Sequence, residues 1–196
     1  ADIEAHGLLS RLAFEAGDRD TCLAHLQNAA ARAPDDPRLH AALAGRLRHF
    51  GLTDEALAAY DRAIALAPGE IRHRAEKAHL QQALGDFAAA ERALVKLLKR
   101  HPHETELYRM LFIARKATRK DPLLRKMLEL WKHPRLNDTG RMHLGFALAS
   151  AMESLGERAR VFGYLDAANA AQARLAPFDA AARARERAAI LATQDG

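Results

Sequence analysis

The chain has 196 residues, just under half of them apolar and many of those alanine, and a formal charge of +5. Its one cysteine, Cys22, excludes an internal disulfide and the secreted scaffolds built on one. No apolar run approaches the roughly 20 residues of a membrane span, and the N-terminus lacks the charged, apolar and small-residue order of a signal peptide. A cytoplasmic setting is the expectation, and a start at Ala1 reads as a processed form or an excised piece. Arginine outnumbers lysine, which points toward an acidic partner; the plain alternative is a solvated helical surface.

Glycines and prolines punctuate the first half at a regular interval: Gly17, Gly51 and Gly85, then Pro34, Pro68 and Pro102. The first unit, 3–36, sets small Ser10 and Cys22 beside large Leu9 and Leu26. The second, 37–70, opens on Asp36-Pro37, an N-cap followed by proline at the first helical position. Leu39, Leu43 and Leu47 then recur at helical spacing, with Ala44 and Ala56 small and Tyr60 large. The third, 71–104, repeats the pattern with Ala78, Ala90, Leu94 and Leu97. Lys77 stands where the earlier units have Leu9 and Leu43, and its stem is expected to snorkel past the packed face. Small residues at these places let paired helices approach. Each Gly is expected to turn the chain with positive φ, and Asp18, Thr53 and Asp86 to accept the free amide protons of the helix that follows.

The fourth unit, 105–138, is degenerate. Its first helix is expected to run to about 118 through Tyr108, Leu111 and Phe112, and Arg119 replaces the glycine. Asp121-Pro122 starts a second helix whose apolar face is Leu124, Met127, Leu128 and Trp131; His133-Pro134 ends it. In a fifth unit, 142–175, Gly156 takes the turn, with Leu148, Ala149, Val161, Leu165 and Ala168 toward the core. The last segment, 177–196, reads as a closing helix over about 178–193, with Phe178, Ala181, Ile190 and Leu191 apolar and Arg183, Arg185 and Arg187 solvated. Strand signals are absent throughout.

This period and its small-residue positions resemble the tetratricopeptide repeat, a two-helix unit that stacks on its neighbours. The resemblance implies an all-α fold, a right-handed α-solenoid of about eleven helices, whose first helices line a concave groove. Carried onto this sequence, the groove positions include Arg11, Arg38, Arg48, His49, Arg72, His79, Arg109 and Lys116, against Glu4, Glu15 and Glu106. Such an excess of cations can clamp carboxylates or sulfate-like groups by forked hydrogen bonds; the alternative is a solvated wall without a ligand. Gly7 and Arg11 stand where chaperone-binding repeats carry the Lys and Asn of their carboxylate clamp, so a chaperone tail is not the expected ligand. A protein or peptide, acidic in character, is expected instead, and a second copy of the chain also fits. The basic residues lack interleaved aromatics, which argues against nucleic acid.

No catalytic residue is assigned. There is no Gly-rich phosphate loop, Cys pair or His-Glu-x-x-His. His101 and His103 read as a solvated loop rather than a metal site, and Cys22 as a packed side chain; neither a metal nor a cofactor is expected in this chain. One further stretch, 141–179, carries Phe146-Ala147-Leu148, Leu155-Gly156, Asn169 and Phe178-Asp179. It resembles the segment that joins tetratricopeptide repeats to the catalytic domain of bacterial repeat-containing sulfotransferases. That resemblance implies a catalytic domain beyond Gly196 holding the phosphosulfate donor, with this part binding the acceptor, a protein partner or another copy. The alternative is a free-standing adaptor.

Overall fold

The computed structural model describes residues 3–177, 183–185 and 187. The chain divides into two compact units, Ala1–His101 and Pro102–Gly196. The first holds α1 (Ile3–Glu15), α2 (Arg19–Arg32), α3 (Pro37–His49), α4 (Thr53–Leu66), α5 (Ile71–Ala83) and α6 (Phe87–Arg100). The second holds α7 (Thr105–Phe112), α8 (Pro122–Trp131), α9 (Asp138–Ser154) and α10 (Arg158–Leu175).

In the first unit the helices pack as successive hairpins, α1 on α2, α3 on α4 and α5 on α6, with α2 against α3 and α4 against α5. The small residues explain how closely the paired helices meet. Cys22, Ala56 and Ala90 are wholly buried, facing Ser10, Ala44 and Ala78. Ser10 Oγ lies 3.3 Å from Cys22 Sγ. Leu23, Leu47, Tyr60 and Leu80 fill the space around Ala44 and Ala56. The turns share one chemistry. Gly17, Gly51 and Gly85 take φ of 75°, 76° and 85°. The next amide in each case reaches back five residues, Asp18 to Ala13, Leu52 to Leu47 and Asp86 to Gln81, at 2.8–2.9 Å. This is the Schellman closure, which satisfies carbonyls that the helix end would leave bare.

The residue after each glycine is therefore the cap. Asp18 accepts from Thr21 N and Asp86 from Ala89 N, both at 3.0 Å. Thr53 is not a cap: the equivalent place is Leu52, which offers no side-chain bond, and Thr53 is the first helical residue. Leu9, expected to pack, is 43% exposed alongside Leu8 and Leu12. No helix among the described residues covers that face of α1. Lys77 lies half-buried and pairs with Asp61 on α4.

In the second unit α9 is central, and α7, α8 and α10 pack on it. Here the repeat pattern breaks. α7 ends at Phe112 rather than near 118. With no glycine to reverse the chain, residues 113–121 cross outside helical structure and are tied down by polar bonds. Ala117 N donates to Ser154 Oγ at 3.0 Å, and Arg115 reaches the buried Asp121 at 2.9 Å. Asp121 also caps α8 by accepting from Leu123 N at 2.9 Å. The α9–α10 hairpin restores the earlier logic, with Gly156 at φ 75° and Glu157 N bonded to Met152 O at 2.9 Å. Leu148, Ala149 and Ala168 are buried, and Gly145 lies directly under Ala168. Trp131 meets Tyr164 edge-on at 5.3 Å. Of the closing helix, residues 183–185 and 187 are helical and exposed. Its remaining positions, Phe178, Ala181, Ile190 and Leu191 among them, lie outside the described residues. Among the described residues no helix is long and apolar enough to cross a membrane.

Candidate functional site

One face of α3 presents Arg38, Ala41, Gly45 and Arg48, residues three or four apart and so aligned along the helix. Together with Ala42, Arg46 and His49 they form one wall of a cleft of about 490 Å³ in the first unit. α5 supplies Arg72, His73 and Glu76, and Tyr60 of α4 enters between them. Small side chains keep the cleft open: a Cβ built on Gly45 meets nothing within 4 Å.

The cations are held in different ways. Arg38 forks onto Asp36, Nε to Oδ1 at 3.1 Å and Nη2 to Oδ2 at 2.9 Å, and this bond holds the Asp36 carboxyl below its usual range. Arg72 Nε donates to Glu76 at 2.8 Å. Arg48 Nη1 lies 3.3 Å from His79 Nδ1. The Arg46 guanidinium stacks 3.6 Å above the Phe14 ring, and His49 meets the same ring edge-on at 4.7 Å. Exposed carboxylate pairs of this kind are worth about 0–1 kcal/mol, so a ligand carboxylate can compete for the guanidiniums. Tyr60 is wholly buried. Its hydroxyl lies beside Glu76 without a well-formed hydrogen bond to any described group. Burial, and then the Glu76 charge, push it up to about 12. It therefore stays a proton donor at neutral pH. The cleft thus collects guanidinium, imidazole and phenol donors around one carboxylate, chemistry suited to an anionic group.

Arg38, Arg48, His49 and Arg72 meet in this cleft, and His79 touches it through Arg48. Arg11 is exposed on α1 and does not line the cleft. Arg109 and Lys116 belong to the second unit. Arg109 lies 3.8 Å from Glu106 and borders a hollow of about 360 Å³ with Ile113, Phe146, Ser150 and Leu165. Lys116 is exposed in the segment after α7, because that helix stops four residues earlier. Arg46, His73, Glu76 and the Tyr60 hydroxyl were not among the sequence candidates. Tyr60 reads as core from its spacing, and it is; only the structure shows its polar end at the cleft. Among the described residues no group of three or more His, Cys, Asp or Glu side chains could hold a metal ion.

Helical hairpins closed by a positive-φ glycine and packed through small residues define a class, and comparison with known proteins gives it a name. Residues 47–112 match the family model described as tetratricopeptide repeat. The fold class is all-α, of the tetratricopeptide α-solenoid type. A putative kinesin light chain of Podospora anserina with nearly identical repeats is similar at TM-score 0.62 and 17% identity, over 90% of this chain and 97% of that one. MamA from Desulfovibrio magneticus RS-1 gives 0.54 and 18%, over 81% and 94%. The TPR2B domain of yeast Sti1, solved as a complex with pHsp70, gives 0.50 and 22%, over 56% and 93%. No curated protein matches this sequence.

Proposed function

We propose that the chain is a protein-binding module whose first unit takes an acidic segment of a partner in the cleft between α3 and α5. The observation that carries this reading is the convergence of Arg38, Arg46, Arg48 and Arg72 on one open cleft whose single carboxylate is Glu76. The Sti1 domain, in complex with pHsp70, offers a precedent for partner binding on this fold. Binding of this kind needs no cofactor and no catalytic residue. A cytoplasmic setting suits the buried free thiol of Cys22.

The test is a titration of a fluorescein-labelled decapeptide of alternating glutamate and alanine. Arg48→Glu with Arg72→Glu is expected to weaken binding about tenfold or more at low salt, because opposite charges become like charges. Affinity equal to the parent would refute the assignment of the cleft.

A finer reading places this module beside a sulfotransferase domain, and it rests on the resemblance carried by Phe146-Ala147-Leu148, Leu155-Gly156 and Asn169. The free-standing adaptor is its rival. The coding sequence downstream of Gly196 decides between them: a phosphosulfate-binding loop supports the former, and an immediate stop codon removes it.

A further inference from the structure

A second basic surface lies on another side of the same unit. On α6, Arg92, Lys96 and Arg100 are spaced four residues apart and all exposed, so they form one row. Facing them across a furrow of about 350 Å³ stand Arg74 and Lys77 of α5. The floor is apolar, made by Ile64, Ala89, Ala93 and Leu97. The furrow shares no residue with the arginine-lined cleft. At about 100° per residue, its α5 positions lie roughly 130° around that helix from those at the cleft.

The fold does not account for this row. Like charges four apart on a helix oppose its formation by a few tenths of a kcal/mol per pair. The one carboxylate at the furrow, Asp61, is engaged by Lys77. Arg74 donates to the Pro68 carbonyl. Arg92, Lys96 and Arg100 make no ion pair among the described residues.

We infer that this furrow is a second docking surface, for an extended acidic segment of a partner protein. The cations of the row rise about 6 Å apart along α6. In an extended peptide, alternate side chains on one edge are about 7 Å apart, so successive carboxylates meet successive cations. Ala89 and Ala93 let a backbone settle onto the floor. Single-stranded nucleic acid would call for aromatic stacking platforms, and none lines the furrow. A membrane surface would call for exposed apolar residues beside the cations; exposed Phe87 starts α6 but points roughly 180° away from Lys96 around it.

The test uses the full chain, isothermal titration and the same glutamate–alanine decapeptide. The parent is expected to take two equivalents, and the Arg48→Glu, Arg72→Glu protein one. Adding Arg92→Glu and Lys96→Glu to that protein is expected to weaken the remaining site about tenfold, with helical circular dichroism unchanged because both side chains are exposed. If the added reversals leave the remaining binding as it was, the furrow assignment is overturned. It is equally overturned if the row instead controls binding of a single-stranded oligonucleotide or of phosphatidylserine vesicles while peptide binding does not depend on it. Loss of the cleft reading shows up separately, as no effect of the first pair of substitutions.

Discussion

Gly145 offers a test of the second unit's packing that can be worked from distances. A Cβ at this position would lie 2.7 Å from Ala168 Cβ, 2.9 Å from the Tyr164 carbonyl oxygen and 3.3 Å from Ala168 Cα. Carbon atoms in contact prefer about 3.5–4.0 Å, so Gly145→Ala needs α9 and α10 to part by nearly 1 Å. Two of the three obstacles are backbone, and no rotamer change relieves them. Overpacking of this kind costs about 1–3 kcal/mol. Alanine in a helix interior recovers about 1 kcal/mol over glycine. With the cost near its upper end, the net loss is about 2 kcal/mol. Gly163, inside α10, is the control, since a Cβ there meets nothing within 4 Å. Gly163→Ala is expected to gain up to about 1 kcal/mol. The two variants should therefore differ by about 3 kcal/mol in urea unfolding, with opposite signs relative to the parent. A Gly145→Ala protein as stable as Gly163→Ala would refute the close approach of these helices.

Ala56→Leu, at a wholly buried contact of α4 with α3, is expected to cost about 1–3 kcal/mol in a thermal melt; an unchanged melt would contradict the register of that hairpin. Asp138 accepts from Nε and Nη2 of Arg174, at 2.9 Å and 2.6 Å. This bond, more than any other cause, holds its carboxyl below the usual range. The unfolded chain then takes up that proton first as pH falls, so the stabilisation is present at neutral pH and fades below about pH 4. Asp138→Asn should flatten the acid limb of stability against pH, and an identical acid limb would show that the pair does not contribute. Gly51→Ala forces an alanine into φ 76° and should destabilise by about 1 kcal/mol, read from the urea midpoint.

The repeat was legible because its signals are local. A glycine at a fixed place in each unit leaves a positive-φ turn, and small residues such as Ala56 and Ala90 announce where two helices touch. The departures come from interactions that spacing does not carry. The hydroxyl of Thr53 beside a turn reads as a cap, yet the Schellman bond of Leu52 N to Leu47 O sets the register one residue earlier. α7 ends early because Ala117 and Arg115 find partners in Ser154 and Asp121, thirty-seven residues away in the first case. The cleft was half visible: Arg38, Arg48, His49 and Arg72, groove positions that the resemblance implies, all line it. The carboxylates that share their charge, Asp36 and Glu76, and the phenol of Tyr60 arrive from neighbouring turns and helices. The furrow has no repeat signature, because it joins outward positions of α4 and α6 to the side of α5 turned away from the cleft.

An acidic ligand is expected to enter between α3 and α5. Amide chemical-shift mapping with the glutamate–alanine decapeptide measures this most directly. Saturable shifts are expected at Arg38, Arg48, His49 and Arg72, with the Tyr60 ring signals moving in step. Saturable binding that leaves all five unmoved would contradict it.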